Sequence, residues 1–122
     1  MPVNTRPKVG PTLDADQTTE LAEMFRLMGD ASRLRILLRC LAGPAAVGDI
    51  AAGLDLSPSL VSHHLRLLRA GRILKATRQG KHVYYAAADD HISRVVADMV
   101  AHVGEAGHDR AEADDGAGGA EK

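Results

Sequence analysis

LSPSLVSHHLRLLR, Leu56–Arg69, opens with a serine and a proline and then repeats apolar residues at helical spacing. Ser57 can accept a hydrogen bond from the free N–H groups of a helix start, and Pro58 suits the first helical position, where no N–H is needed. Val61, Leu65 and Leu68 then fall on one face, and Gly71 ends the segment. This predicts a helix, α4, from Pro58 to about Ala70. Its outward face carries Ser59, Ser62, His63 and Arg66.

Upstream, Val47 to about Gly53 forms a short helix, α3, with Ile50 and Leu54 facing inward. The link Leu54-Asp55-Leu56-Ser57 between α3 and α4 has the length of a helix-turn-helix turn. Downstream, two extended runs follow, β1 (Ile73–Thr77) and β2 (His82–Ala87), joined by Arg78-Gln79-Gly80-Lys81. A glycine in a short basic loop fits a hairpin, which makes the whole a winged helix. Two more helices precede it. In α1 (about Asp16–Met28), Leu21, Met24, Phe25 and Met28 share a face. In α2, capped by Asp30 and stopped at Gly43-Pro44, the expected apolar face is Leu34, Leu37, Leu38 and Leu41. A last helix, α5, runs from about Asp89 to Glu105. The predicted fold is mainly α with a small β-hairpin, in the order α1-α2-α3-α4-β1-β2-α5.

Residues 1–15 form an N-terminal arm with three prolines and no apolar period, expected to be flexible. Residues 106–122 lack any large apolar side chain and read as a disordered acidic tail. The folded domain is therefore expected over 16–105.

The net charge of −1 is uninformative, but its distribution is not. Ser57–His82 holds six cations (Arg66, Arg69, Arg72, Lys75, Arg78, Lys81) and no acid, whereas Val83–Lys122 holds nine acids against three cations. A local basic face on a helix-turn-helix and wing is the footprint of a DNA binder. The second helix of such a unit enters the major groove with its outward N-terminal side chains at base edges. Ser59, Ser62, His63 and Arg66 occupy those places. Arg69, Arg78 and Lys81 are placed for phosphates, which supply affinity and salt dependence.

Composition narrows the class further. Hydrophobic residues make up 45% of 122 residues but aromatics only 2%, so one aliphatic core is expected. No apolar run is long enough to cross a membrane and no secretory leader opens the chain, which together predict a cytoplasmic protein. The single cysteine, Cys40, excludes an intrachain disulfide and reads as a small core residue. No nucleophile–base pair is apparent: Cys40 lies on an apolar face, and His63-His64 lie on α4. An enzyme and a small-molecule substrate are therefore not expected.

DASRLRIL (Asp30–Leu37), VGDIA (Val47–Ala51), LSPSLVSHHLRLLR (Leu56–Arg69) and RQGKHVYY (Arg78–Tyr85) together resemble the ArsR/SmtB family of bacterial metal-sensing repressors. The likeness covers about residues 17–105, and four segments occur in family order. It implies a homodimeric winged helix on operator DNA with an imperfect inverted repeat, with Ser59, Ser62 and His63 touching DNA.

On α5, Asp89, His91, His102 and Glu105 are spaced D-x-H-x10-H-x2-E. His91 and His102 lie within about 20° of one face, and Glu105 lies beside them. Eleven residues of helix nevertheless separate the histidines by about 16 Å, too far for one ion with ligands at about 2 Å. Two antiparallel copies close the gap: Asp89 and His91 of one meet His102 and Glu105 of the other, twice per dimer. Two nitrogens and two oxygens suit tetrahedral zinc, with cobalt as a mimic. The quartet resembles the α5 zinc site of SmtB-like members. The same resemblance implies a hydrogen bond from His102 to the backbone carbonyl of Arg72 as the relay to α4. The α3 cysteine site of other members has no thiolates here around Ala45–Asp49, which argues against lead, cadmium or arsenite. His108 would add a ligand if the helix ran through Gly107, favouring nickel or cobalt. A winged helix indifferent to metal is the other alternative.

Overall fold

The computed structural model describes the backbone of residues 11–117 and the side chains of 11–105. Five helices and one hairpin follow in the expected order: α1 Ala15–Met28, α2 Ala31–Leu41, α3 Val47–Leu54, α4 Pro58–Ala70, β1 Leu74–Gln79, β2 His82–Ala87 and α5 Asp90–Ala117. The helix starts are written in the sequence. Asp14 begins α1 with a reciprocal capping box, its carboxylate accepting from the Gln17 N–H at 2.8 Å while the Gln17 side chain accepts from the Asp14 N–H. Asp30 caps α2 by accepting from the Arg33 N–H at 3.0 Å, and that bond holds its carboxyl below the usual range. Ser57 caps α4 through the Leu60 N–H at 3.1 Å, with Pro58 in the first turn.

The core is aliphatic and sits where α2, α3, α4 and β1 meet. Ile36, Leu37, Ile50, Val61, Leu65, Leu68 and Ile73 are fully enclosed. Cys40 is enclosed with them, and burial pushes its thiol up to about 11. Ala45 is bridged in both directions to Tyr85, with N–O distances of 3.0 and 2.8 Å, so the loop after α2 anchors the wing to the body.

Several expectations need correction. The inward face of α2 is Ile36, Leu37 and Cys40, while Leu34 and Leu38 are exposed. A leucine-rich helix offers two overlapping apolar arcs, and the elements packed on α2 cover the arc of Ile36, Leu37 and Cys40. The hairpin is also tighter than expected. Pairing continues to Gln79 opposite His82, leaving Gly80-Lys81 as a two-residue turn. Gly80 has φ 64°, the left-handed value that a primed hairpin turn demands at its first position. In the helix-turn-helix link, Asp55 takes a left-handed conformation (φ 58°) as the C-cap of α3. The last helix continues twelve residues past Glu105, to Ala117. Once a helix is nucleated, each further residue adds a bond at little cost, and Ala, Glu and Arg favour it. Most of the N-terminal arm (1–10) and the end of the acidic tail (118–122) lie outside the described residues.

Candidate DNA-reading face and metal stripe

The α4 helix divides cleanly around its circumference. Val61, Leu65 and Leu68 bind it to the core, Ser59, His63 and Arg66 stand exposed on the opposite side, and Arg69, one turn past Leu65, is exposed at the edge that faces α1 and α5. Ser62 is half-buried at the edge of the Ser59, His63 and Arg66 face. Arg78 and Lys81 are exposed on the wing, at the end of β1 and in the turn. Neither α4 nor the wing carries an acid to quench these cations. Short hydroxyls and an imidazole at the front of a helix, flanked by guanidinium groups, can bring hydrogen-bonding groups to base edges while neutralising phosphates.

One residue of α4 escaped the sequence reading. His64 is only 7% exposed, and its enclosed Nδ1 has no hydrogen-bond partner among the described residues. Burial pushes its pKa down, with the Asp30 carboxylate opposing that effect and Arg33 and His63 adding to it. The signal was present: position 64 falls three residues after Val61 and four before Leu68, on the core face. Its neighbour His63 points outward, with the two rings 5.6 Å apart.

The ligand-capable stripe lies on α5. Asp89 sits at the helix start, where its Oδ1 accepts from the Ile92 N–H at 3.0 Å, so the cap occupies one carboxylate oxygen. His91, His102 and Glu105 are all exposed. Among the described residues of one protomer, no three His, Cys, Asp or Glu side chains gather as a metal site. Ile92 and Val96 fix α5 to the body, while Val95, Met99, Val100 and Val103 are exposed beside the stripe. The side chain of His108 lies outside the described residues.

Between α1 and α5 runs an open cleft of about 910 Å³. Leu21, Met24, Phe25 and Met28 form one wall, and His91, Ile92 and Val95 the other. Arg72, which links α4 to β1, lies in its lining with φ 61°, a left-handed value rare for arginine. The hydrogen bonds of the described residues include none between His102 and Arg72.

Comparison with known proteins agrees with this geometry. Residues 30–76 match the family model described as bacterial regulatory protein, arsR family. A transcriptional repressor SmtB homolog from Synechocystis is 38% identical over 93 residues, covering 76% of this chain and 70% of that protein. The chain belongs to the ArsR/SmtB family. The HTH-type transcriptional regulator CmtR of Mycobacterium bovis is 41% identical over 80 residues, covering 66% of this chain and 68% of its own. Among solved structures, the homodimeric winged helix-turn-helix DNA-binding domain of a possible ArsR-family regulator from Mycobacterium bovis superposes with a TM-score of 0.69. It is 26% identical and covers 80% of this chain and 91% of its own. ArsR/SmtB members are DNA-binding regulators rather than enzymes, and the winged helix-turn-helix seen here is their fold. No helix among the described residues is long and apolar enough to cross a membrane.

Proposed function

We propose that this ArsR/SmtB member is a homodimeric repressor that binds operator DNA in its apo form. It is released when Asp89 and His91 of one copy, with His102 and Glu105 of the other, take up zinc. The observation carrying this reading is the α5 stripe: exposed donors on one edge of a helix, no three of which gather among the described residues of one protomer. The donor set fits the ion, since two imidazoles and two carboxylates satisfy a closed tetrahedral site. Asp89 keeps one oxygen free of its cap for this purpose. When bound, zinc would supply a cross-link between the α5 helices of the two copies.

The protein side of the switch is a choice between two dimer shapes, since a ligand binding both equally shifts nothing. Moving a 99:1 population to 1:99 takes about 5.5 kcal/mol of differential binding. His102 would engage the metal through one ring nitrogen and retain an N–H on the other. We assign its acceptor as the carbonyl of Arg72, where α4 hands over to the wing. That link would hold the two α4 helices at a spacing poor for successive major grooves. Ser59, Ser62, His63 and Arg66 are the proposed base-edge contacts, and Arg69, Arg78 and Lys81 the phosphate contacts. This reading places the protein in the bacterial cytoplasm, where its DNA is.

A second reading is favoured by one observation. The α5 backbone continues through Gly107, so His108 remains on the same helix three residues past Glu105. A fifth donor would move the preference toward octahedral nickel or cobalt. The experiment is a fluorescence-anisotropy titration of the apo-protein on its own upstream DNA, with zinc, nickel and cobalt in turn. Release at the lowest free concentration by zinc is expected, and His102→Ala should bind DNA normally yet resist release. Release by nickel or cobalt alone selects the His108 reading. Tight binding that ignores every metal leaves a regulator with a different signal.

A further inference from the structure

The joint between α4 and β1 is also held by α1, independently of any metal ligand. Leu27 of α1 is buried against Gly71, so closely that a Cβ there would lie 2.5 Å from Leu27 Cδ1. Seven residues earlier on α1, two turns back and on the same face, the Glu20 carboxylate pairs with the guanidinium of Arg72. Among the described residues this is the ion pair that joins distant parts of the chain; the other, Arg26 with Glu23, lies within α1. The end of α1 is itself pinned, because Arg33 Nε donates to the Leu27 carbonyl at 2.7 Å. Arg72 sits in a left-handed conformation that its Cβ disfavours, so the joint needs outside contacts to hold it.

We propose that Glu20 is a positioning residue for DNA reading: its pairing with Arg72, acting with Leu27 on Gly71, lets α1 set the backbone of the joint and therefore the direction of α4. The inference rests on the proposed repressor function but uses no metal ligand. It provides a second path into the reading head, from the cleft wall through α1. The pair is partly exposed, with side-chain exposures of 75% and 50%, so its effect is modest and weakens with salt.

Glu20→Gln separates this proposal from plain electrostatics by the sign of its effect. Removing a negative charge from a DNA-binding protein tightens binding or leaves it unchanged. Loss of a positioning contact weakens it, here by about two- to five-fold in the apo-protein on upstream DNA at low salt. Amide hydrogen exchange supplies a second readout. The Arg72 and Ile73 N–H groups donate to the Arg69 and Leu68 carbonyls at 3.0 and 2.9 Å, and their exchange should accelerate in Glu20→Gln. Glu20→Arg combined with Arg72→Glu should restore both. Unchanged exchange, or DNA binding that is unchanged or tighter, overturns the proposal. A wild-type chain that ignores DNA sinks the repressor reading instead, while the exchange arm still decides whether Glu20 holds the joint.

Discussion

The reading head and the α1–α5 flank are both rich in large apolar residues, yet only the head is finished within one protomer. Around α4, every large inward side chain is enclosed by α2, α3 and β1. On the flank, Phe25 is 55% exposed, Met99 56% and Val103 65%. Exposed apolar residues are ordinary when scattered, but these line a continuous cleft and its neighbouring helix face. The half proposed to touch DNA is therefore specified by its own packing. The half that carries the candidate ligand stripe is left open within one protomer, and the proposed function would close it with a second copy.

The largest effects should test that asymmetry. Leu65→Ala in the enclosed head should cost about 2–5 kcal/mol of folding stability, read by urea denaturation, because α4 is packed on all inward sides. Met99→Asp on the flank should leave monomer folding within about 0.5 kcal/mol, since the residue is already exposed. The same change should weaken dimerisation by about 100-fold in sedimentation equilibrium, because each copy would bury an unpaired carboxylate. Should Met99→Asp unfold the monomer and spare the dimer, the contrast between the two regions is wrong.

The same contrast explains what could be read in the sequence. Ser57-Pro58 and the Val61/Leu65/Leu68 face are local signals that decided α4 correctly, while Gly80 marked the hairpin without revealing that its turn is only two residues. The exposed side of α4 followed from the core side by subtraction. Leu34 and Leu38 misled because a helix with apolar residues on two arcs does not reveal which arc its neighbours will cover. Glu20 and Arg72 lie 52 residues apart, and no spacing rule connects a carboxylate on α1 to a guanidinium after α4. The α5 stripe was legible as a pattern because its spacing fails within one chain. What partner geometry completes it lies outside a single protomer's contacts.

The smallest effect is expected inside the head, at His64, and there the enclosed region becomes sensitive to acid. Its imidazole is buried, its Nδ1 without a hydrogen-bond partner among the described residues, facing Asp30 and Arg33 at the start of α2 and His63 on its own helix. The folded state therefore holds its proton less readily than the unfolded chain, whose ordinary value is 6.5. Unfolded molecules then bind more protons as pH falls, so stability is intact above about 6.5 and declines below it, through the lower folded value. Asp30 titrates in a lower window, since its carboxyl is held below 3.8, which separates the two contributions. Urea denaturation at pH 8, 6.5 and 5 should show this decline in the wild type and a flatter profile in His64→Leu, which keeps the seam apolar. Dimerisation at neutral pH should be untouched, because His64 faces α2 rather than the flank. Equal pH slopes in the two proteins would mean that the enclosed imidazole is not what makes the head acid-sensitive.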